Sequence, residues 1–292
     1  VSDYAPGIEA FKWFPDGRRI AFVSWVWPEL KGSQAQAKRH KEFKDRKESG
    51  YATSEAQYRY WDHNVPMGRV AHLHVLDVAS GRVTDLFEGS GLELSRAEPD
   101  ANTFDIAPDG KRIAFVHDAA AEKRMDNCKV LSELNLRTRR TETPGHDKGW
   151  DLEHPRYSPD GQRIAFVASH QRKKHTMPAQ LALLERGGRW RVLSADWDHA
   201  VHGPLRWADD GQSVHFTAEA EARNHLWRFE LRSRSATRVA AGGWVQPFDV
   251  AAGVIVCAAD AMAHPPRVHA PRAGDPAAAD ASGGGVDDAV GR

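Results

Sequence analysis

Cysteine is nearly absent from this chain: two residues in 292, Cys128 and Cys257. They lie far apart in no ligand-like spacing. That excludes a disulfide framework and a cysteine zinc site, and leaves two ordinary buried thiols. Net charge is absent too, with 40 Lys and Arg against 40 Asp and Glu. A nucleic-acid surface or a polybasic membrane face needs a basic excess, so neither partner is expected. No apolar run is long enough to cross a bilayer as a helix. The opening Val-Ser-Asp-Tyr has neither a basic n-region nor an apolar h-region, so no signal peptide is legible. A cytoplasmic location is expected, or a periplasmic one if a leader was removed. The chemical motifs are missing as well. The sequence has no G-x-S-x-G nucleophile elbow, no H-E-x-x-H, no phosphate loop and no G-x-G-x-x-G, so neither a cofactor nor a metal is expected.

What the chain does have is a repeat. "FPDGRRIAFVSW" returns as "APDGKRIAFVHD", "SPDGQRIAFVAS" and, more loosely, "ADDGQSVHFTAE". Aligned on Asp16, Asp109, Asp160 and Asp210, the copies are separated by 93, 51 and 50 residues. A period near 50 built from short strands points to propeller blades rather than to a helical solenoid. Pro pre-sets φ at the first turn position and Gly accepts φ > 0 at the exit, which suits a type I turn with a G1 bulge between antiparallel strands. "RIAFV" is nearly all apolar, as a strand covered on both faces should be.

Each copy is followed by a second hairpin: "HLHVLDVASGRVTDLF", "KVLSELNLRTRRTETP", "QLALLERGGRWRVLS" and "HLWRFELRSRSATRVA". The unit is therefore a four-stranded blade. The expected fold is an all-β propeller of four blades and a partial fifth over residues 1–270, in an open or incomplete ring. In the fifth unit, "WVQPFDVAAGVIVCAAD", Ala-Ala-Gly replaces Pro-Asp-Gly. The long first interval holds an insertion at about 27–69, whose middle is Lys-rich and helix-prone and whose end is aromatic. It reads as a solvated face or as a lid over one mouth of the propeller. Unclosed terminal blades would leave Ile20, Phe22, Ile255 and Val256 exposed. The tail, 271–292, has almost nothing to bury and is expected to be disordered.

Histidines and carboxylates cluster in "GHDKGWDLEHP", which contains His146, Asp147, Asp151, Glu153 and His154. A loop running into a strand gives these groups no reason to converge on one point, so no metal site is expected there.

"YRYWDHNVPMGRVAHLHVLDVASGRVTDLFEG", with its Trp-Asp and its hairpin, resembles the propeller segment of bacterial serine peptidases of the prolyl oligopeptidase family, in the dipeptidyl-peptidase and acylaminoacyl-peptidase branch. "AHPPRVHA" is similar to the segment that leads from such propellers into the catalytic domain. The likeness covers about residues 7–270. It implies a propeller that gates access of short peptides to a C-terminal α/β-hydrolase domain bearing Ser, Asp and His. That domain has no counterpart in this sequence, so no catalytic residue carries over, and the chain reads as a fragment lacking blades as well. It also implies that carboxylates at the propeller mouth meet a substrate ammonium. Loops entering the first strand of each blade supply Glu9, Asp100, Asp151 and Glu153 as candidates, since a charge pair is less screened in a partly desolvated place. A self-contained TolB-like propeller that binds a protein partner is the alternative.

Overall fold

The computed structural model describes residues 4–270, apart from 55, 57, 62, 65, 66, 97, 98, 120–127, 174, 241, 242 and 263. The tail at 271–292 and Asp62 of the Trp-Asp pair therefore lie outside the described residues. The chain divides into two compact units, Val1–Pro155 and Arg156–Arg292.

In the first unit, β1 (Ala10–Trp13), β2 (Arg19–Val26), β5 (Val70–Asp77) and β6 (Val83–Asp85) form one antiparallel sheet in the order β1-β2-β5-β6. Helix α1 (Gly32–Asp45) and the two-residue strands β3 (Arg59–Tyr60) and β4 (His63–Asn64) lie between β2 and β5. The second sheet runs β7 (Phe104–Ile106), β8 (Arg112–Asp118), β9 (Lys129–Asn135) and β10 (Thr141–Gly145), each strand beside the next. The third comprises β11 (Trp150–Tyr157), β12 (Arg163–His170), β13 (Gln180–Glu185) and β14 (Trp190–Val192), and the division between units falls within β11. In the second unit follow β15 (His202–Trp207), β16 (Ser213–Ala220), β17 (Arg223–Glu230) and β18 (Ser235–Ala240), and then β19 (Trp244–Ala251), β20 (Val254–Ala261) and β21 (His264–His269), which are joined to the preceding four by a parallel bridge between Asn224 of β17 and Trp244 of β19. Four sequential four-stranded meanders and a partial fifth make an all-β propeller.

Each repeated turn joins the first two strands of its sheet. Gly17, Gly110, Gly161 and Gly211 donate to the carbonyl three residues back at 2.8–3.0 Å and have φ of +63° to +66°, which only glycine adopts without cost. The Asp has its own task. Its Oδ1 accepts the backbone N–H two residues on, from Arg18, Lys111, Gln162 and Gln212, at 2.8–3.0 Å, fixing the turn as an Asx motif. In the first and third copies the Arg three residues after the Asp ties one sheet to the next. Arg19 Nη2 donates to Gly110 O at 3.1 Å, and Arg163 Nη2 donates to Gly211 O at 2.9 Å. Their guanidiniums lie over the Phe14 and Trp207 rings, 4.1 and 5.1 Å from the centroids. The fourth copy has Ser213 in that place and uses a different link: Asp209 Oδ2 accepts Gly253 N–H at 2.9 Å, and Arg206 Nε donates to Asp249 at 2.7 Å. The Ala-Ala-Gly turn is also of another kind. Ala251 pairs directly with Val254, and Ala252 and Gly253 both have positive φ (49° and 72°), the signature of a two-residue type I′ hairpin.

Stacking of adjacent sheets explains the near-continuous apolar strands. Ala21 and Val23 of β2 pack with Leu73, Phe87, Ile113 and Phe115 across the first two sheets. Val167, Leu183, Phe216 and Phe229 do the same in the second unit. Ile20 and Phe22 point to the other face of the first sheet but are not exposed, contrary to expectation. Phe22 is stacked on His74 at 5.0 Å and meets the edge of Tyr4 at 5.5 Å, and Leu76 and Val83 complete the cover. Ile255 is also buried, with Leu226, Phe248 and Cys257. Strand alternation then turns Val256 outward, beside the exposed Trp244, Val254 and Val268.

One hairpin is built against residue preference. Glu221 and Ala222 join β16 to β17 with φ of 55° and 58°, where a Cβ costs about 1 kcal/mol per residue. Replacing the pair with Asn-Gly should stabilise the chain by about 1 kcal/mol. Urea denaturation measures this, and an unchanged or lower midpoint would contradict the turn assignment.

Candidate functional site

In the first unit, connections into first strands and those between second and third strands lie at the strand ends opposite the Asp-Gly turns. All four candidate carboxylates fall there. Glu9, just before β1, is exposed, and among the described residues its side chain makes no hydrogen bond or ion pair. Asp100 is exposed and closes its own loop, accepting from Asn102 N at 2.7 Å and Asn102 Nδ2 at 2.8 Å. Asp151 and Glu153, at the start of β11, are brought together by Lys129, at the start of β9. Asp151 Oδ1 accepts Lys129 N–H at 2.8 Å, and Glu153 Oε1 accepts from Lys129 Nζ. Burial pushes the Glu153 carboxyl up. The Lys129 ammonium and its hydrogen bond outweigh that, so Glu153 titrates below the usual carboxylate range. The ammonium this carboxylate already holds belongs to the protein.

Beside this cluster, His117 Nε2 lies 3.0 Å from Ser132 Oγ, which lies 2.9 Å from Thr143 Oγ1. Burial pushes His117 down to about 4, so the imidazole is neutral. Ser132 is completely buried. A substrate carbonyl has no path to its Oγ, and the pair is structural.

A second polar cluster lines a cleft of about 340 Å³ at the outer edge of the first sheet, bounded by Tyr4, Gln36, His74, Asp85, Glu88 and Arg139 among others. His72 and His74 alternate with Leu73 on β5 and so share a face. His74 Nδ1 lies 3.2 Å from the His72 carbonyl and must donate to it. The neutral ring therefore accepts the Tyr4 hydroxyl at Nε2, 3.1 Å away. His72 Nδ1 lies 2.8 Å from Asp85 Oδ2, while Asp85 Oδ1 accepts Phe87 and Glu88 N–H at 2.8 and 3.1 Å. Burial pushes His74 down to about 4. Every group here has a partner inside the protein, which makes the cluster a brace between β5 and β6. Among the described residues, no three His, Cys, Asp or Glu side chains are placed to hold a metal, and no helix is long and apolar enough to cross a membrane.

Helix α1 is fastened through Gln36. Its Oε1 accepts Trp27 N–H at 3.0 Å, and its Nε2 donates to Trp27 O at 2.8 Å and Leu30 O at 3.3 Å. Phe43 meets the edge of Trp27 at 5.5 Å. Sequence reasoning gave the helix but not the group it carries, in which Arg46 and Arg69 both lie over the Phe43 ring, at 4.0 and 4.7 Å. It also missed Arg19 and Arg163, although the repeated "DG-x-R" carried that signal.

No model of a known protein family matches the chain. It is 25% identical to dipeptidyl-peptidase 5 of Porphyromonas gingivalis over 248 residues, covering 81% of this chain and 34% of that protein. Dipeptidyl-peptidase 5 of Porphyromonas endodontalis is 28% identical over 273 residues, covering 89% and 37%. The chain is similar to dipeptidyl-peptidase 5 over most of its own length. It spans about a third of the length of these relatives. Among solved structures, the acylaminoacyl peptidase of Pyrococcus horikoshii matches 90% of this chain and 36% of its own, with TM-score 0.61 and 15% identity. The β-propeller domain of the Trilobed protease from Pyrococcus furiosus matches 95% and 70%, with TM-score 0.56 and 14% identity. TolB from Acinetobacter baumannii matches 91% and 54%, with TM-score 0.50 and 15% identity. At such identities these structures establish the fold, and the likeness to a peptidase in sequence is the one to dipeptidyl-peptidase 5.

Proposed function

We propose that this chain is the non-catalytic propeller portion of a serine peptidase related to dipeptidyl-peptidase 5, and that it limits access of short peptides to a hydrolase domain outside this sequence. The observation that carries the reading is the alignment, which takes most of this chain but only about a third of those peptidases. The chemistry is consistent with it: the sequence has no nucleophile elbow, and the one serine described above beside a histidine is sealed in the core. The outward apolar face of Trp244, Val254, Val256 and Val268 supports stacking of a further blade there. Of the four carboxylates, Glu9 best suits a substrate ammonium, because Glu153 already holds Lys129 and Asp100 already closes its loop.

The purified chain should hydrolyse neither chromogenic dipeptide nor acyl-amino-acid substrates, and should not react with a fluorophosphonate probe. Stoichiometric labelling of one serine with turnover would refute this. Coding DNA beyond codon 292 should encode a G-x-S-x-G elbow in frame. An in-frame stop with no hydrolase remnant would favour the TolB-like binding module instead.

A further inference from the structure

The insertion between β2 and β5 brings two guanidiniums, Arg46 and Arg69, to one ring without an ion-paired carboxylate for either among the described residues. Arg69 is half-buried, and its Nε is shielded from solvent with no acceptor. Its guanidinium lies over Phe43 at 4.7 Å and Trp25 at 5.9 Å. Arg46 lies over the same Phe43 ring at 4.0 Å and donates to a weak acceptor, Met67 Sδ, at 3.9 Å. On α1, His40 Nδ1 is also buried without a partner. Burial, then the charges of Lys44 and Arg69, push His40 below the ordinary histidine range. Burial also lowers Arg69, which Arg46 lowers further and only Glu9 opposes. Among the described residues, no carboxylate forms an ion pair with Arg46 or Arg69. A desolvated guanidinium N–H with no acceptor is costly, and two guanidiniums sharing one ring repel each other. An anion would relieve both costs.

We propose that the insertion carries a binding site for a small oxyanion, a carboxylate or phosphate group, held by Arg69, Arg46 and His40. The guanidinium fork suits two oxygens of one such group. The site depends on the insertion alone, so its failure would leave the peptidase reading untouched.

Trp25 beside Arg69 provides the readout. The full chain is titrated with N-acetylglycinate, N-acetylglycinamide and inorganic phosphate at constant ionic strength, and intrinsic fluorescence is followed. At least one of the two anions should give a saturable change with a midpoint of about 1 mM or lower, and the uncharged amide should give none. Saturation by N-acetylglycinate identifies a peptide-type carboxylate as the ligand; saturation by phosphate alone identifies a phosphate. Arg69→Gln should raise the midpoint by about tenfold or more. Arg46→Gln, on an exposed side chain, serves if the first variant fails to fold. Lys38→Gln, exposed on α1, should leave the midpoint unchanged. A linear response to every anion, equal binding of the amide, or the same midpoint in the Arg variants would overturn the site and leave the two arginines as ring-stacking groups only.

Discussion

Lowering the pH from 7 to 4.5 should cost this chain most of its stability. His74 and His215 are buried, and burial holds each at about 4; for His215 the Arg228 charge adds to the effect. The unfolded histidine titrates near 6.5. Below that pH the unfolded chain takes up protons that the folded chain refuses, so stability is full above about 6.5 and falls as the pH approaches 4. At about 1.4 kcal/mol per pH unit, each of these two groups removes up to about 3 kcal/mol over the window. His117 acts in the same direction. A typical domain has about 5–15 kcal/mol in total. The lowered carboxyls, Glu153 and Asp85 among them, add a further loss on the acid side of this window, because their stabilisation disappears as the pH falls through their folded values. Urea midpoints at pH 7.5, 6.5, 5.5 and 4.5 test this. A flat profile between 7 and 5 would show that these imidazoles protonate in place. His215→Gln should remove about one proton from the slope, whatever it does to stability at pH 7.

Gly145→Val should destabilise the first unit by about 3 kcal/mol or more. Gly145 ends β10 opposite Leu131 on β9. A Cβ there would lie 2.6 Å from Leu131 Cβ and 3.0 Å from Leu152 Cδ1. Both leucines are completely buried, so neither can swing away into solvent. Even Gly145→Ala should cost about 1–3 kcal/mol through this overlap. The control is Gly149→Ala in the adjacent loop, where the new Cβ meets only Asp147 Oδ1 at 3.4 Å; it should fall within about 0.5 kcal/mol of the parent. Equal denaturation midpoints for the Gly145 and Gly149 variants would mean that β10 does not sit against Leu131 as described.

The sequence by itself determined the blades. A Pro-Asp-Gly turn acts over four residues, its hydrogen bonds close within that span, and the strand that follows declares itself by apolar content. Four hairpin pairs in phase then leave a single architecture, and the helix in the insertion was legible from its composition. Tertiary structure decided what each repeated residue touches. Nothing in the repeat shows that Arg19 and Arg163 each reach a carbonyl of the next sheet, 91 and 48 residues away. Ile20 and Phe22 looked exposed because their cover, Tyr4 and His74, comes from elsewhere in the chain. Asp151 and Glu153 met Lys129, more than twenty residues earlier, only because β9 and β11 start at the same end of the unit. Arg46 and Arg69 converged on Phe43 because Gln36 fastens α1 against the end of β2. Turns and strands follow from local geometry, which a sequence encodes directly. Charge pairing and burial follow from long-range contacts, which exist only once the sheets have stacked.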